Sequence, residues 1–236
     1  MKIVALYATH KRKTSTTYQL AQTAIAELAQ GDEVMTFDLL NHVHHFCNGC
    51  FSCFNGRPER CPAFSDLKPL KDAIKAADLI IFAVPVYVYH VPGQVKTFLD
   101  HFAYEWMMHR PDPAMFNKQA LIISTAAGGG TKSTVKDIKD SLEYLGISSI
   151  YDYQKSVYAA RFTEVDVTKQ QMCQDDIRRI CHKIKKDYPV TKPGFKVKQY
   201  FHLFRKLHQQ SKFSEADHRY WEENGWLGKK RPWDQL

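Results

Sequence analysis

The sequence predicts an α/β protein: five strands in a doubly wound parallel sheet, helices on both faces, and a helical extension at the C-terminus. Three observations carry this reading. Short apolar, β-branched runs alternate along the chain with stretches of helical spacing. The apolar fraction, 44%, is ordinary for a buried core, so the 236 residues have enough material for one large domain. After residue 188 the composition turns basic and aromatic, which marks a separate extension.

Residues 2–8 (KIVALYA) are short and apolar, as expected of a strand buried on both faces. Residues 15–30 place Leu20, Ala21, Ala24, Ile25 and Leu28 on one helical face, and Gly31 ends that helix. Residues 33–39 form the second strand, and an irregular stretch over 41–64 holds four cysteines. Ser65 or Asp66 caps a helix reaching residue 77, with Leu67, Leu70 and Ile74 facing inward. A third strand over 78–84 leads to a helix over 93–104. The fourth strand covers 119–125, its helix 131–145, the fifth strand lies within 147–157, and the last helix of the unit covers 165–188. Strands joined by helical crossovers give a doubly wound sheet, here in the flavodoxin-like order 2-1-3-4-5. Ligands of such sheets sit beyond the carboxyl ends of the strands, where the strand order reverses, between the first and third strands.

Residues 189–194 read as a linker, and Trp221, Trp226 and Trp233 beyond it as packing anchors, with the tail wrapping the domain or reaching a partner subunit. The net charge of +8 is concentrated: residues 178–212 hold eleven Lys or Arg against one acid, Asp187. Such a run is a solvated helical face or a site for nucleotide phosphates or an acidic partner. No nucleic-acid-binding signature interleaves with it, which argues against nucleic acid. The apolar runs are too short for a signal peptide or a membrane span, so a cytoplasmic protein with no membrane partner is expected.

Three strand ends carry chemistry. After the first strand come Thr9, Lys11, Ser15, Thr16 and Thr17, hydroxyls and a cation leading into a helix whose free N–H groups and positive dipole end favour an anion. Neither a Walker-type loop nor a Gly-x-Gly-x2-Gly turn is present, which disfavours a nucleoside triphosphate or a Rossmann pyrophosphate. After the third strand come Pro85, Val86, Tyr87, Val88 and Tyr89, a stiff apolar segment suited to a flat ring. After the fourth come Thr125, Ala126, Ala127, Gly128, Gly129 and Gly130, where three glycines let the backbone approach a ligand.

With KIVALYATHKRKTSTT at residues 2–17, CNGCFSCFNGRPERC at 47–61, and ADLIIFAVPVYVYHVPGQVKTFLD at 77–100, the chain resembles the NADPH-dependent FMN reductases and iron–sulfur flavoproteins. Pro85-Val86-Tyr87 followed by Pro92-Gly93, Lys96 and Asp100 is the most specific piece. The resemblance covers residues 1–157 and implies a flavin mononucleotide (FMN) domain over 1–188, with 189–236 as the extension. It implies that Thr9, Lys11, Ser15, Thr16 and Thr17 hold the FMN phosphate, while residues 85–89 and 125–129 border the isoalloxazine. Where the family has Gly-Ser and Gly-Asn-Thr, this chain has Ala8-Thr9 and Thr14-Ser15-Thr16, keeping the hydroxyls but not the glycines. The flavin carries the redox chemistry, so no side-chain catalyst is required and none is assigned. The implied activity is transfer of electrons from NAD(P)H to a small acceptor such as a flavin or quinone, by a homodimer or homotetramer. The alternatives are an electron-transfer flavoprotein serving protein partners, and a flavin-binding sensor.

Cys47, Cys50, Cys53 and Cys61 follow gaps that let four thiolates wrap one centre. The spacing resembles the compact motif of iron–sulfur flavoproteins, which implies a 4Fe–4S cluster; free or redox-active thiols and a zinc site are the other readings. His42, His44 and His45 read as solvated histidines, and Cys173 and Cys181 as small buried residues of a helix.

Overall fold

The computed structural model describes residues 1–211 and 214–234; Lys212, the end of the basic run, and the last two residues of the extension lie outside the described residues. Five parallel strands, β1 (Ile3–Tyr7), β2 (Val34–Asp38), β3 (Leu79–Ala83), β4 (Gln119–Ala126) and β5 (Ser149–Ser156), form one sheet in the order β2-β1-β3-β4-β5. Five helices connect or flank them: α1 (Thr16–Ala29), α2 (Phe64–Ala76), α3 (Gly93–Asp100), α4 (Thr131–Leu145) and α5 (Val167–Lys186).

The strands explain themselves by alternation. Val4, Leu6, Ile80, Phe82 and Ile122 point to one face, where Leu70, Ile74, Phe98, Ile138 and Leu142 of α2, α3 and α4 meet them. Ile3, Ala5, Leu79, Ile81 and Leu121 point to the other, against Leu20, Ala24 and Leu28 of α1 and Ile177 and Ile184 of α5. Both faces are therefore buried, which is why β1 and β3 read as unbroken apolar runs. Cys173 and Cys181 lie in the second layer at 1% exposure, as expected of small apolar residues.

Two helices depart from the expected limits. α2 begins at Phe64, before the expected caps, and accommodates Pro69 in its interior. α3 ends at Asp100 rather than at 104, because His101 and Phe102 leave the helix and a tight 3-10 turn follows over Ala103–Glu105. Among the described residues no helix is long and apolar enough to cross a membrane.

Residues beyond 188 form α6 (Phe195–Gln210) and α7 (Glu215–Glu223). Their Val197, Phe201, Phe204, Trp221 and Trp226 build a third core with Met107 and Phe116, and Trp233 packs at its margin. Phe201 stacks on Trp221 at 4.9 Å, so the tryptophans are packing anchors. The basic run meets the opposite edge of the sheet from the strand carboxyl ends: the Ile184 carbonyl accepts from Gln119, the first residue of β4, and Tyr151 donates to Asp187.

Lys118 is buried just before β4, and its amine donates to the carbonyls of Lys75 and Ala77 at the end of α2. Burial pushes this amine down to about 8. Above that pH the unfolded chain holds the proton more tightly than the folded one, so this residue's contribution to stability rises from about pH 8 to 10.5. Unfolding of the wild type and Lys118→Met in urea across that range is expected to show the wild type gaining stability relative to the variant, by at most about 3 kcal/mol.

Candidate functional site

Because all five strands run the same way, the loops leaving β1, β3, β4 and β5 share one edge of the sheet, and the order reverses between β1 and β3. A cavity of about 180 Å³ lies at that edge. Thr9, Lys11, Ser15, Thr16 and Thr17 line it from the first loop, Pro85, Val86 and Tyr87 from the third strand, and Thr125, Ala126 and Ala127 from the fourth. Eleven of the sixteen residues read from sequence at these strand ends thus meet in one place.

The first loop closes through a 3-10 turn over Arg12–Thr14, tied to β2 by the Arg12–Asp38 ion pair at 3.1 Å. Ser15 caps α1 by accepting from the Tyr18 amide. The amides of Thr16 and Thr17 occupy the first helical turn, where no intrahelical acceptor exists, and no acidic residue lies there. Thr9, Ser15, Thr16 and Thr17 are all buried, so four hydroxyls surround a cavity at the positive end of a helix. The Thr17 and Thr125 hydroxyls share a 2.7 Å hydrogen bond that joins the first and fourth loops. Behind the loop, burial raises the Tyr7 phenol to about 12, so it stays neutral while its oxygen accepts from Gln22.

Val88, Tyr89, Gly128 and Gly129 do not line the cavity. Val88 and Tyr89, at φ +48° and +65°, are the central residues of a two-residue turn closed by paired hydrogen bonds between Tyr87 and His90. Both φ values are positive, a conformation rare for a β-branched residue, and the turn carries Val88 out to 93% exposure. The Tyr89 ring lies against Gly129, so these residues form a rim.

The sequence reading missed Val157, Ala159 and Ala160, which close the cavity from the end of β5. The Lys11 amine donates to the Ala160 carbonyl at 3.1 Å, an interaction of backbone that residue types do not signal. The position beyond a parallel strand was the available clue. Gly130, the third glycine of the loop after β4, is where a close approach occurs. At φ +97°, a Cβ there would sit 2.6 Å from Tyr89 Cα and 2.7 Å from Val86 Cγ1, so only glycine lets the third and fourth loops touch.

A second, larger cavity of about 350 Å³ is lined by all four cysteines of the 47–61 segment together with Phe46, Phe51, Phe54, Leu67 and Tyr104. Cys47 and Cys50 are exposed, Cys53 and Cys61 half-buried, and all are free thiols. The Ser52 hydroxyl, 3.5 Å from the Cys50 sulfur, holds that thiol below its usual range, while burial pushes the Cys53 thiol up. The Cys61 sulfur is 3.7 Å from His101 Nδ1, whose ring donates through Nε2 to the His45 carbonyl. The four thiols share a cavity without converging: among the described residues no three His, Cys, Asp or Glu side chains stand together as a metal site. His44 and His45 are exposed and His42 half-buried against Phe37; none lines this cavity.

Residues 1–160 match the family model described as NADPH-dependent FMN reductase. The chain is 33% identical over 107 residues to an FMN-dependent NADH:quinone oxidoreductase of Bordetella bronchiseptica, a match covering 41% of this chain and 50% of that protein. The chain therefore spans about half the length of that relative. An iron–sulfur flavoprotein of Archaeoglobus fulgidus is 23% identical over 230 residues, 96% of this chain and all of that one. Among solved structures, an azoreductase from Bacillus anthracis aligns at a TM-score of 0.62 with 13% identity, covering 78% of this chain and 99% of that one, a likeness of fold.

Proposed function

The chain belongs to the NADPH-dependent FMN reductase family, and on that premise we propose that it is an FMN-dependent oxidoreductase that takes electrons from NADH or NADPH and delivers them to a small acceptor such as a quinone or free flavin. The observation that carries the reading is the meeting of the first, third and fourth strand-end loops around one cavity at the switch point of the sheet.

The residues present fit FMN. Thr9, Ser15, Thr16 and Thr17 offer hydroxyls to a phosphate, the α1 amides add donors, and Lys11 supplies the charge. Pro85, Val86 and Tyr87 give an apolar wall for a flat ring, and Ala126 and Ala127 leave room opposite them. The flavin would supply the redox chemistry, accepting electrons from the nicotinamide and passing them on. The protein's own work is placement: the Thr17–Thr125 bond fixes the phosphate loop against the ring loop, and the backbone of residues 125–127 can donate to charge developing on a ring. No side-chain acid or base is assigned. Residues 1–188 serve as the FMN domain and 189–236 as the extension, whose described residues brace it. A homodimer or homotetramer is supported by the exposed apolar side chains of the rim, Val88 and Tyr89, at 93% and 68%.

Steady consumption of NADH or NADPH with a soluble quinone, dependent on added FMN, is the expected result. Reduction only through a protein partner would establish the electron-carrier alternative instead.

The cysteine cavity extends the same reading to a 4Fe–4S cluster held by Cys47, Cys50, Cys53 and Cys61. Four soft donors lining one cavity support it, and the exposed Cys47 and Cys50 must turn inward to complete the set. Protein prepared without oxygen is expected to contain about four irons and four acid-labile sulfides per chain, lost on any single Cys→Ser change while FMN stays bound. Iron-free, fully active protein from iron- and sulfide-supplied anaerobic preparations would assign these residues as thiols.

A further inference from the structure

The extension reaches the cysteine cavity through a buried charge network. Asp217, in the first turn of α7, is fully buried. Its Oδ2 accepts from His109 Nδ1 at 2.8 Å, and its Oδ1 lies 3.0 Å from Arg110 Nε, close as an ion pair but off the line of a good hydrogen bond. A buried carboxylate is tolerable only when paired, so both partners are drawn to fixed positions.

Those partners face the cysteines. Arg110 Nη2 donates to the Cys53 carbonyl, and its guanidinium lies over the ring of Tyr104, a wall of the cavity. The His109 ring meets Phe54 edge-on at 4.7 Å, the residue after Cys53. Gly56 completes the contact, since a Cβ there would lie 3.7 Å from Arg110 Nη1 and 3.8 Å from Ala216 Cβ of α7. The segment carrying His109 and Arg110 is itself held by the extension: Trp221 donates to the His109 carbonyl at 2.6 Å, and Tyr220 to the Pro111 carbonyl at 2.7 Å.

We propose that the C-terminal extension is a working part of the cysteine site, in which Asp217 and Arg110 are positioning residues that fix Cys53 in the cavity wall. Asp217 sets the guanidinium, and the guanidinium holds the Cys53 carbonyl, across more than a hundred residues of sequence. The arrangement restrains Cys53 whether its sulfur binds iron or acts as a thiol.

The test uses the reduced, iron-free full chain with FMN bound, and reads alkylation by iodoacetamide residue by residue. Arg110→Lys keeps a cation for Asp217 but lacks the second arm that reaches Cys53. Asp217→Asn keeps the shape and removes the charge. In both variants Cys53 is expected to react about tenfold faster than in the wild type, the factor given by 1.4 kcal/mol of lost local protection. Cys50, already exposed, is expected to change less than about twofold, and protected Cys173 and Cys181 report that the fold is intact. A purely structural brace would lower the melting temperature without this selective change at Cys53. Cys53 rates within about twofold of the wild type in folded Arg110→Lys would overturn the proposal, and that variant decides the matter where Asp217→Asn does not fold.

Discussion

Replacing Lys11 and Thr16 together by alanine is expected to raise the dissociation constant for FMN by roughly 30–150-fold while leaving the fold intact. Thr16 places a buried hydroxyl at the start of α1, and its loss removes a donor to charged oxygen. Lys11 is folded over the cavity by the Ala160 carbonyl, but its side chain remains largely in solvent, so its charge counts for less than a buried one. Together the two changes cost about 2–3 kcal/mol of phosphate binding. Neither side chain belongs to either face of the sheet core, so the urea midpoint should move little. Fluorescence titration of the apoprotein with FMN reads the effect, and wild-type affinity in the double variant would place the phosphate elsewhere.

Gly130→Ala is expected to damage both stability and the ring side of the same site. At φ +97° a side chain costs about 1–2 kcal/mol, and the new Cβ would overlap Tyr89 Cα and Val86 Cγ1. Relieving that overlap costs roughly another 1–3 kcal/mol, because the turn over 87–90 is pinned by the Ser133 hydroxyl, which donates to the Tyr89 carbonyl. The loops after β3 and β4 must then separate. Urea unfolding should report a loss of about 2–5 kcal/mol, with FMN affinity reduced in the fraction that stays folded. A variant with unchanged flavin affinity would show that residues 85–87 do not hold the ring.

What could be read in advance, and what could not, follows from the range of the forces involved. Strand order, the two-faced core and the clustering of Thr9, Ser15, Thr16, Thr17, Val86 and Thr125 depend on local periodicity and on a general rule for parallel sheets. The limits of α2 and α3 were less legible. Pro69 and the 3-10 turn after His101 are held by tertiary contacts that outweigh local preference. Val88 and Tyr89 read as ring contacts from their apolar character, yet the reversal between Tyr87 and His90 turns them outward. No residue type marked Ala160, because its backbone oxygen is what matters. The extension's aromatics suited either wrapping or reaching a partner. Only the placement of Met107, Phe116 and Asp217 shows which surface they cover.

The most direct measurement is an anaerobic titration of the FMN-loaded protein with NADH and, separately, NADPH, followed by flavin absorbance. The flavin bands are expected to bleach with about one equivalent of at least one nucleotide, since each carries one hydride, and a soluble quinone to restore them. Protein that binds FMN yet keeps the oxidised spectrum with excess of both nucleotides would contradict the proposed activity.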